Sequence, residues 1–234
     1  MIQHDTQTDI AINQPAAGGA RSLPPVLAGA AMIAVAIVLA LAAGFVIDRY
    51  PFQFDRAIVL GVRAWHGPAW LPDAAADLTD LGGGVVLTLL VVITAGLLLV
   101  QRLWLTALAT VLASASGSWA VDLIKHVEVR ARPDLVPHLV AVTGYSFPSG
   151  HAASSAIVYL TLASLAGQVT PDRRTRSYLL VVAILLVGAI GTSRVYLGVH
   201  WPSDVLAGWS FGTLWALGWW RATASARRAI GGER

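Results

Sequence analysis

The sequence predicts an all-α polytopic membrane protein with six transmembrane helices and one short interfacial helix. Three observations predict it. Hydrophobic residues make up 56% of the 234-residue chain and charged residues only 12%, against about 25% charged in a typical soluble domain. The mean hydropathy of +0.66 excludes a disordered chain and leaves too few polar side chains to coat a water-facing globule. Uncharged runs close to the roughly 20 residues needed to cross the hydrocarbon core recur along the chain.

The elements follow in order. Residues 1–22 are polar, contain Gly18-Gly19 and read as a disordered tail. The first apolar run, Val26 to Ile47, exceeds the 7–15 residues of a signal-peptide core and so reads as an anchor. A long connection, Asp48 to Asp80, follows. Within it Phe52, Phe54, Ile58, Val59, Val62 and Trp65, with Asp55, Arg56 and Arg63 between, form an amphipathic stretch that predicts a short helix lying in the interface. Leu81–Val100 and Leu103–Val121 are the second and third runs, joined by the tight turn Gln101-Arg102. A second long connection spans His126 to Pro148, and the fourth run is Ala152–Val169. The polar loop Pro171–Arg176 leads to Ser177–Ser193, and the sixth run is Val205–Trp220. The expected organisation is a tail at 1–22, one six-helix membrane domain at 23–222 and a C-terminal tail at 223–234.

Charge placement predicts the orientation. With the N-terminus inside, the inner side carries Arg21, Arg102, Arg173, Arg174, Arg176, Arg221, Arg227, Arg228 and Arg234 and sums to +5, while the outer side sums to −2. This satisfies the positive-inside rule and puts both long connections outside, with both termini cytoplasmic. Trp65, Trp70, Trp104, Trp119, Trp201, Trp219 and Trp220 fall near expected span ends, as an aromatic belt would. The chain has no cysteine, which excludes disulfides, thiolate metal sites and a cysteine nucleophile. No basic block is long enough to suggest nucleic acid.

The outer connections hold the chemistry. Lys125, Arg132 and Arg194 are three cations beside an apolar bundle, where charge is costly unless paired or functional. Lysine offers a point charge and arginine a fork that matches phosphate oxygens, so three together suit an oxyanion. Lipid-headgroup snorkelling and inner-side topology explain Arg173, Arg174 and Arg176, but not cations on the outer side. Pro133 disfavours helix at Arg132, so the helix bearing Lys125 should end between the two. Asp122, one turn before Lys125, either pairs with it or marks the span end. Pro148-Ser149-Gly150-His151 precedes an apolar run and reads as a helix start, with Ser149 as a candidate cap and free N–H groups able to meet an anion. Most such strings, taken alone, are ordinary turns.

His200 and Asp204 stand four residues apart around Pro202, which suits a first helical turn. Asp204 can then accept from one ring nitrogen of His200, fixing the tautomer and leaving the other nitrogen as a nucleophile. His151 would be a second histidine able to protonate a leaving oxygen. A metal held by the two histidines and Asp204 is disfavoured by the nearby cations and by the lack of close His spacing. Any one of these histidines alone is more often a packed residue. The combination points to an oxyanion site.

Lys125-x6-Arg132-Pro133, Pro148-Ser149-Gly150-His151 and Ser193-Arg194-x5-His200-x3-Asp204 resemble, in order and at full spacing, the three-part signature of the type 2 phosphatidic acid phosphatase (PAP2) superfamily. The resemblance covers about 117–220 by motif, and the six expected spans extend it as a PAP2-like bundle. It implies that His200 attacks phosphorus to give a phosphohistidine, that Asp204 orients it, and that His151 protonates the leaving group and then helps activate water. It implies that Lys125, Arg132, Arg194, Ser149 and Gly150 bind the phosphate. It also implies no cofactor and no metal. The soluble vanadium haloperoxidases share the signature, but six apolar spans argue against them. A lipid phosphate is the implied substrate. Undecaprenyl pyrophosphate leads, ahead of phosphatidic acid, phosphatidylglycerol phosphate, lipid A and sphingolipid phosphates, and a lipid phosphotransferase is also open. The short Ala-, Gly- and Arg-rich chain suggests a bacterial cytoplasmic membrane with the site on its outer face. A transporter or silent binding protein would place its charges mid-span, and here they sit at span ends.

Overall fold

The structure, a computed structural model, describes residues 25–48, 51–65, 67–169 and 172–230. The tail expected at 1–22 lies outside the described residues. Within them the chain is all α: α1 (Pro25–Asp48), α2 (Gln53–Ala64), α3 (Leu71–Asp80), α4 (Gly84–Val100), α5 (Trp104–Glu128), α6 (Gly150–Val169), α7 (Arg173–Tyr196) and α8 (Pro202–Ala229). The six expected runs correspond to α1, α4, α5, α6, α7 and α8. By length and hydropathy α1, α5 and α7 are fit to cross a membrane, and α3 with α4, bent by 42° at their junction, qualify together as a fourth. At 17 residues α4 alone is short, and α8 lowers its mean hydropathy by turning Ser203, Asp204 and Ser210 into the bundle. That helix also runs on through 223–229, so most of the expected C-terminal tail is helical.

α6 lies at the centre, packed against α4, α5, α7 and α8. The reason is side-chain size. Ala152, Ala153 and Ala156 of α6 are fully buried, and they face Gly208 and Gly212 of α8. A Cβ on Gly212 would stand 2.5 Å from the Ala153 carbonyl oxygen, and one on Gly208 would stand 2.7 Å from that of Ser149. Small residues four apart thus let the two backbones touch, which is how helices associate when the surrounding solvent is as apolar as they are. Many large apolar side chains turn outward, among them Met32, Val85, Val100 and Leu185, which are all exposed.

The amphipathic stretch is α2, as the pattern predicts, with Val59 buried and Phe54, Ile58 and Leu60 exposed. Helix α3 is an element the sequence reading left inside the connection. Pro72 opens it, and Ala75 and Thr79, one turn apart, form its buried face.

Two apolar clusters anchor the long segment between α5 and α6. Val59 of α2, Val136 and Trp201 form one. Ala75 of α3 with Leu197 and Val199 forms the other, joined by Val140, Val142 and Tyr196. Trp201 is therefore a buried residue, not a member of an interfacial belt. Hydrogen bonds complete the anchoring: Leu139 N donates to the Leu197 carbonyl at 3.0 Å, and Arg63 Nη2 to the Pro137 carbonyl at 2.9 Å.

Candidate active site

Helix α5 ends at Glu128, and Val129 takes a left-handed φ of 46° that turns the chain across the bundle. The helix therefore stops between Lys125 and Arg132, as Pro133 predicts. Six of the residues expected from the sequence then line one cavity of about 440 Å³: Lys125, Arg132, Gly150, His151, Arg194 and His200. They come from α5, the α5–α6 segment, α6, α7 and the turn before α8. Asp204 stands behind His200, fully buried. Thr79 and Asp80 at the end of α3 complete the wall. Neither was expected, because α3 was not.

His200 is 2% exposed. Its Nδ1 lies 3.4 Å from Asp204 Oδ2, and its Nε2 lies 3.2 Å from Arg132 Nη1. A guanidinium has only donors, so Nε2 accepts and the ring proton sits on Nδ1, facing the carboxylate. This is the tautomer a nucleophilic Nε2 needs. Burial pushes the His200 pKa down to about 4. The hydrogen bond and charge of Asp204 oppose that fall, and Arg132 and Arg194 add to it. The ring is neutral at neutral pH.

Arg132 is held by three carbonyls. Its Nη1 donates to Val199 at 2.8 Å, Nη2 to Thr143 at 2.8 Å and Nε to Gly144 at 3.0 Å. Burial lowers its pKa, against the raising charge of Asp204, and arginine stays charged throughout. Lys125 Nζ donates to the Tyr145 carbonyl at 2.9 Å. No ion pair joins it to Asp122 among the described residues. Arg194 Nη1 donates to Thr79 Oγ1 at 3.2 Å.

Two of the buried donors without a protein partner among the described residues belong to this region: Arg194 Nε, of a cavity-lining residue, and Ser149 Oγ, beside cavity-lining Gly150. A buried donor left unmade costs about 1–3 kcal/mol, so both are suited to an incoming oxyanion. Ser149 stands before the first residue of α6, but its hydroxyl caps nothing, and its N–H donates to the Asp204 carbonyl at 3.0 Å. The first N–H groups of α6, those of Gly150 and His151, lack intrahelical acceptors and belong to the same cavity region. Among the described residues no three His, Asp or Glu side chains converge as a metal-binding group.

Asp204 is saturated with donors. Trp201 N reaches its Oδ2 at 2.9 Å, the Ser146 hydroxyl bonds the same oxygen, and Arg130 Nη1 reaches Oδ1 at 2.5 Å. Arg130 also bonds Asp55 of α2 at 2.9 Å. Arg130, Asp55 and Ser146 were not expected. One signal was present: Phe52, Asp55, Val59 and Val62 share a helical face, which puts a carboxylate on the apolar side of α2.

Comparison with known proteins shows the family of the chain. Residues 102–228 match the family described as the PAP2 superfamily. A phosphatidylglycerophosphatase B from Bacillus subtilis (strain 168) is 34% identical over 147 residues, which are 62% of this chain and 71% of that protein. An undecaprenyl-diphosphatase from Sulfolobus acidocaldarius is 39% identical over 71 residues, 30% of each chain. The crystal structure of a transmembrane PAP2 type phosphatidylglycerolphosphate phosphatase from Bacillus subtilis superposes with a TM-score of 0.74 at 29% identity, covering 83% of this chain and 96% of that one.

Proposed function

The chain belongs to the PAP2 superfamily and is a membrane lipid phosphatase of this metal-independent hydrolase family. From that premise we propose that it removes the terminal phosphate of a glycerophospholipid monoester, with phosphatidylglycerol phosphate as the leading substrate, through a phosphohistidine on His200. The observation that carries the proposal is the cavity, where a neutral, tautomer-fixed histidine meets three cations and a second histidine.

The steps follow from the atoms. His200 Nε2 attacks phosphorus while the bond from phosphorus to the lipid oxygen breaks. His151 gives its proton to that leaving oxygen. The imidazolium so formed keeps its Nδ1 proton on Asp204. Lys125, Arg132, Arg194, Ser149 and the Gly150 N–H hold the phosphoryl oxygens where negative charge accumulates. Neutral His151 then takes a proton from water, whose oxygen attacks phosphorus. The P–N bond breaks, and inorganic phosphate leaves.

Two observations favour a glycerophospholipid over the polyprenyl pyrophosphate first expected. The Bacillus relative with the longer match carries the phosphatidylglycerophosphatase name, and the diphosphatase relative matches a much shorter stretch. Asp80 also places a carboxylate on the cavity wall. A carboxylate there accepts from the hydroxyl of a phosphoglycerol head and repels a second phosphoryl group.

The same proposal includes six spans, α1 and α4 through α8, with both termini cytoplasmic and the site on the outer face. The positive-inside distribution supports it. A reporter fused at Arg228 should read cytoplasmic. For the chemistry, the detergent-purified protein, with chelator present, is assayed for phosphate release from a panel of phosphatidylglycerol phosphate, phosphatidic acid and undecaprenyl pyrophosphate. The highest kcat/KM should fall on the first. Preference for the pyrophosphate would overturn the substrate assignment, and dependence on an added divalent cation would overturn the chemistry.

A further inference from the structure

Asp55 is fully buried on α2, in a part of the chain outside the matched residues 102–228. It accepts four hydrogen bonds: from Ser203 N at 2.8 Å, Ser203 Oγ at 2.6 Å, Phe52 N at 3.2 Å and Arg130 Nη2 at 2.9 Å. The other end of the same guanidinium bonds Asp204 Oδ1 and Ser203 Oγ at 2.8 Å. The face of Arg130 lies 5.6 Å from the centre of the Trp201 ring. A buried ionic triad of this kind is costly to desolvate and is no evidence of stability by itself. Its position is what matters, because its last member is the carboxylate that touches His200.

We propose that Asp55 and Arg130 are positioning residues: they set both the orientation and the effective charge of the Asp204 carboxylate, and through it the basicity of the His200 ring. The inference rests on the reading of His200 as nucleophile. Arg130 alone would cancel much of the charge that Asp204 presents to the imidazole. Asp55 offsets Arg130, so Asp204 acts on His200 with nearly its full charge. The helix that the sequence marks as an interfacial accessory is thereby part of the catalytic apparatus.

The charge argument makes opposite predictions for the two partners. Asp204 on α8, Arg132 on the α5–α6 segment, Lys125 on α5, His151 on α6 and Arg194 on α7 face His200 or its cavity, as does Asp80 from α3. All of these stay in place in the variants below. Asp55→Asn leaves Arg130 uncompensated and makes the surroundings of His200 more positive. The acid limb of kcat/KM should move to lower pH, by on the order of half a unit. Arg130→Gln removes the cation and should move the limb to higher pH by a similar amount. The double variant should return it toward the wild-type position. Turnover should fall about 10- to 100-fold in the single variants, as when supporting shells are removed elsewhere, with KM nearly unchanged. The ionisation of the substrate phosphate is common to all variants and cancels from the comparison.

The test is the pH dependence of phosphate release from phosphatidic acid by full-length protein in detergent, with folding checked by monodisperse elution. Opposite shifts that cancel in the double variant support the proposal. Shifts in the same direction, or none in folded variants, overturn it, since a purely structural role lowers yield or stability without moving the limb. Where Arg130→Gln does not fold, Asp55→Asn against Asp55→Glu carries the test: Asn lowers the limb and Glu restores it. His200→Ala is measured alongside. Retained turnover there refutes the nucleophile reading itself, and its loss together with unmoved limbs refutes only the role of the pair.

Discussion

Arg132 Nη1 lies 3.2 Å from His200 Nε2, so the ring nitrogen that faces the cavity cations is the one without a proton. The arrangement turns a lone pair toward the cavity and keeps the N–H on the side of Asp204. Arg132 is fixed in turn by carbonyls of Thr143, Gly144 and Val199. The guanidinium that meets the histidine is thus fixed by backbone of the α5–α6 segment and of the turn before α8.

If this lone pair is the nucleophile, His200→Ala should lower turnover by at least roughly a thousandfold, the scale seen when a nucleophile is removed from a covalent mechanism. Brief exposure of wild-type protein to a labelled lipid phosphate, followed by alkaline quenching, should trap label on the protein. The His200→Ala protein should carry none. Label retained at wild-type level would place the intermediate elsewhere.

The low pKa of His200 has a stability consequence with a definite sign. The folded ring titrates at about 4, below the roughly 6.5 of an exposed histidine. Between those values the unfolded chain binds the extra proton, so stability is full above 6.5 and is lost as pH falls toward 4. The unfolding temperature in detergent should therefore decline over that window. His200→Gln should flatten the decline, and an equal slope in both proteins would contradict the assignment.

Under the proposed function, Asp80 on the cavity wall selects which phosphate is accepted. Asp80→Asn removes a negative charge from the cavity wall while keeping its size. The ratio of kcat/KM for undecaprenyl pyrophosphate over phosphatidylglycerol phosphate should rise about tenfold, equivalent to one charge interaction of roughly 1.4 kcal/mol. An unchanged ratio would remove Asp80 from substrate selection.

The α6–α8 crossing allows little enlargement. Gly212→Ala would put a Cβ 2.5 Å from the Ala153 carbonyl oxygen, against backbone that cannot swing aside. Overpacking of this kind costs about 1–3 kcal/mol. It should also weaken the Ser149 N to Asp204 O bond and so lower kcat. Gly96→Ala, inside α4 where a Cβ meets nothing within 4 Å, should leave activity unchanged and should not lower the unfolding temperature, since alanine suits a helix interior better than glycine.

Val129 offers the reverse case. A β-branched residue at φ 46° is strained, and left-handed geometry costs an ordinary residue about 1–2 kcal/mol. Val129→Gly should raise the unfolding temperature. A fall would show that packing of the valine outweighs its backbone.

The cations and histidines of the cavity were legible because they sit in three short motifs with fixed spacing. Lys125, Arg132, His151, Arg194 and His200 needed only to be read in order. What escaped notice did so for physical reasons. Helix α3 is ten residues long with three aspartates, too short and too polar for a hydropathy pattern to reveal. Arg130 lies inside a motif whose other positions drew attention, and its partners are 73 to 75 residues away along the chain. Asp55 shares a helical face with Phe52, Val59 and Val62, but only tertiary packing shows that the carboxylate there meets Arg130 and Ser203. Trp201 was read as a belt residue from its place near a helix end. Only the fold shows that it lies over Arg130. The choice among lipid substrates rested on analogy, and motifs shared by a whole family carry none of that information.

The glycine–alanine contact between α6 and α8 divides the molecule into a keel and a flank. His151 and Asp204 ride on the keel, where two backbones meet without side-chain cushioning and Ser149 N is tied to Asp204 O. Thr79 and Asp80 ride on the flank, at the end of a short helix that meets α4 through a glycine-bearing bend. Under the proposed function, a long-chain lipid should therefore be accommodated by the flank, while His151 and Asp204 stay fixed with the keel.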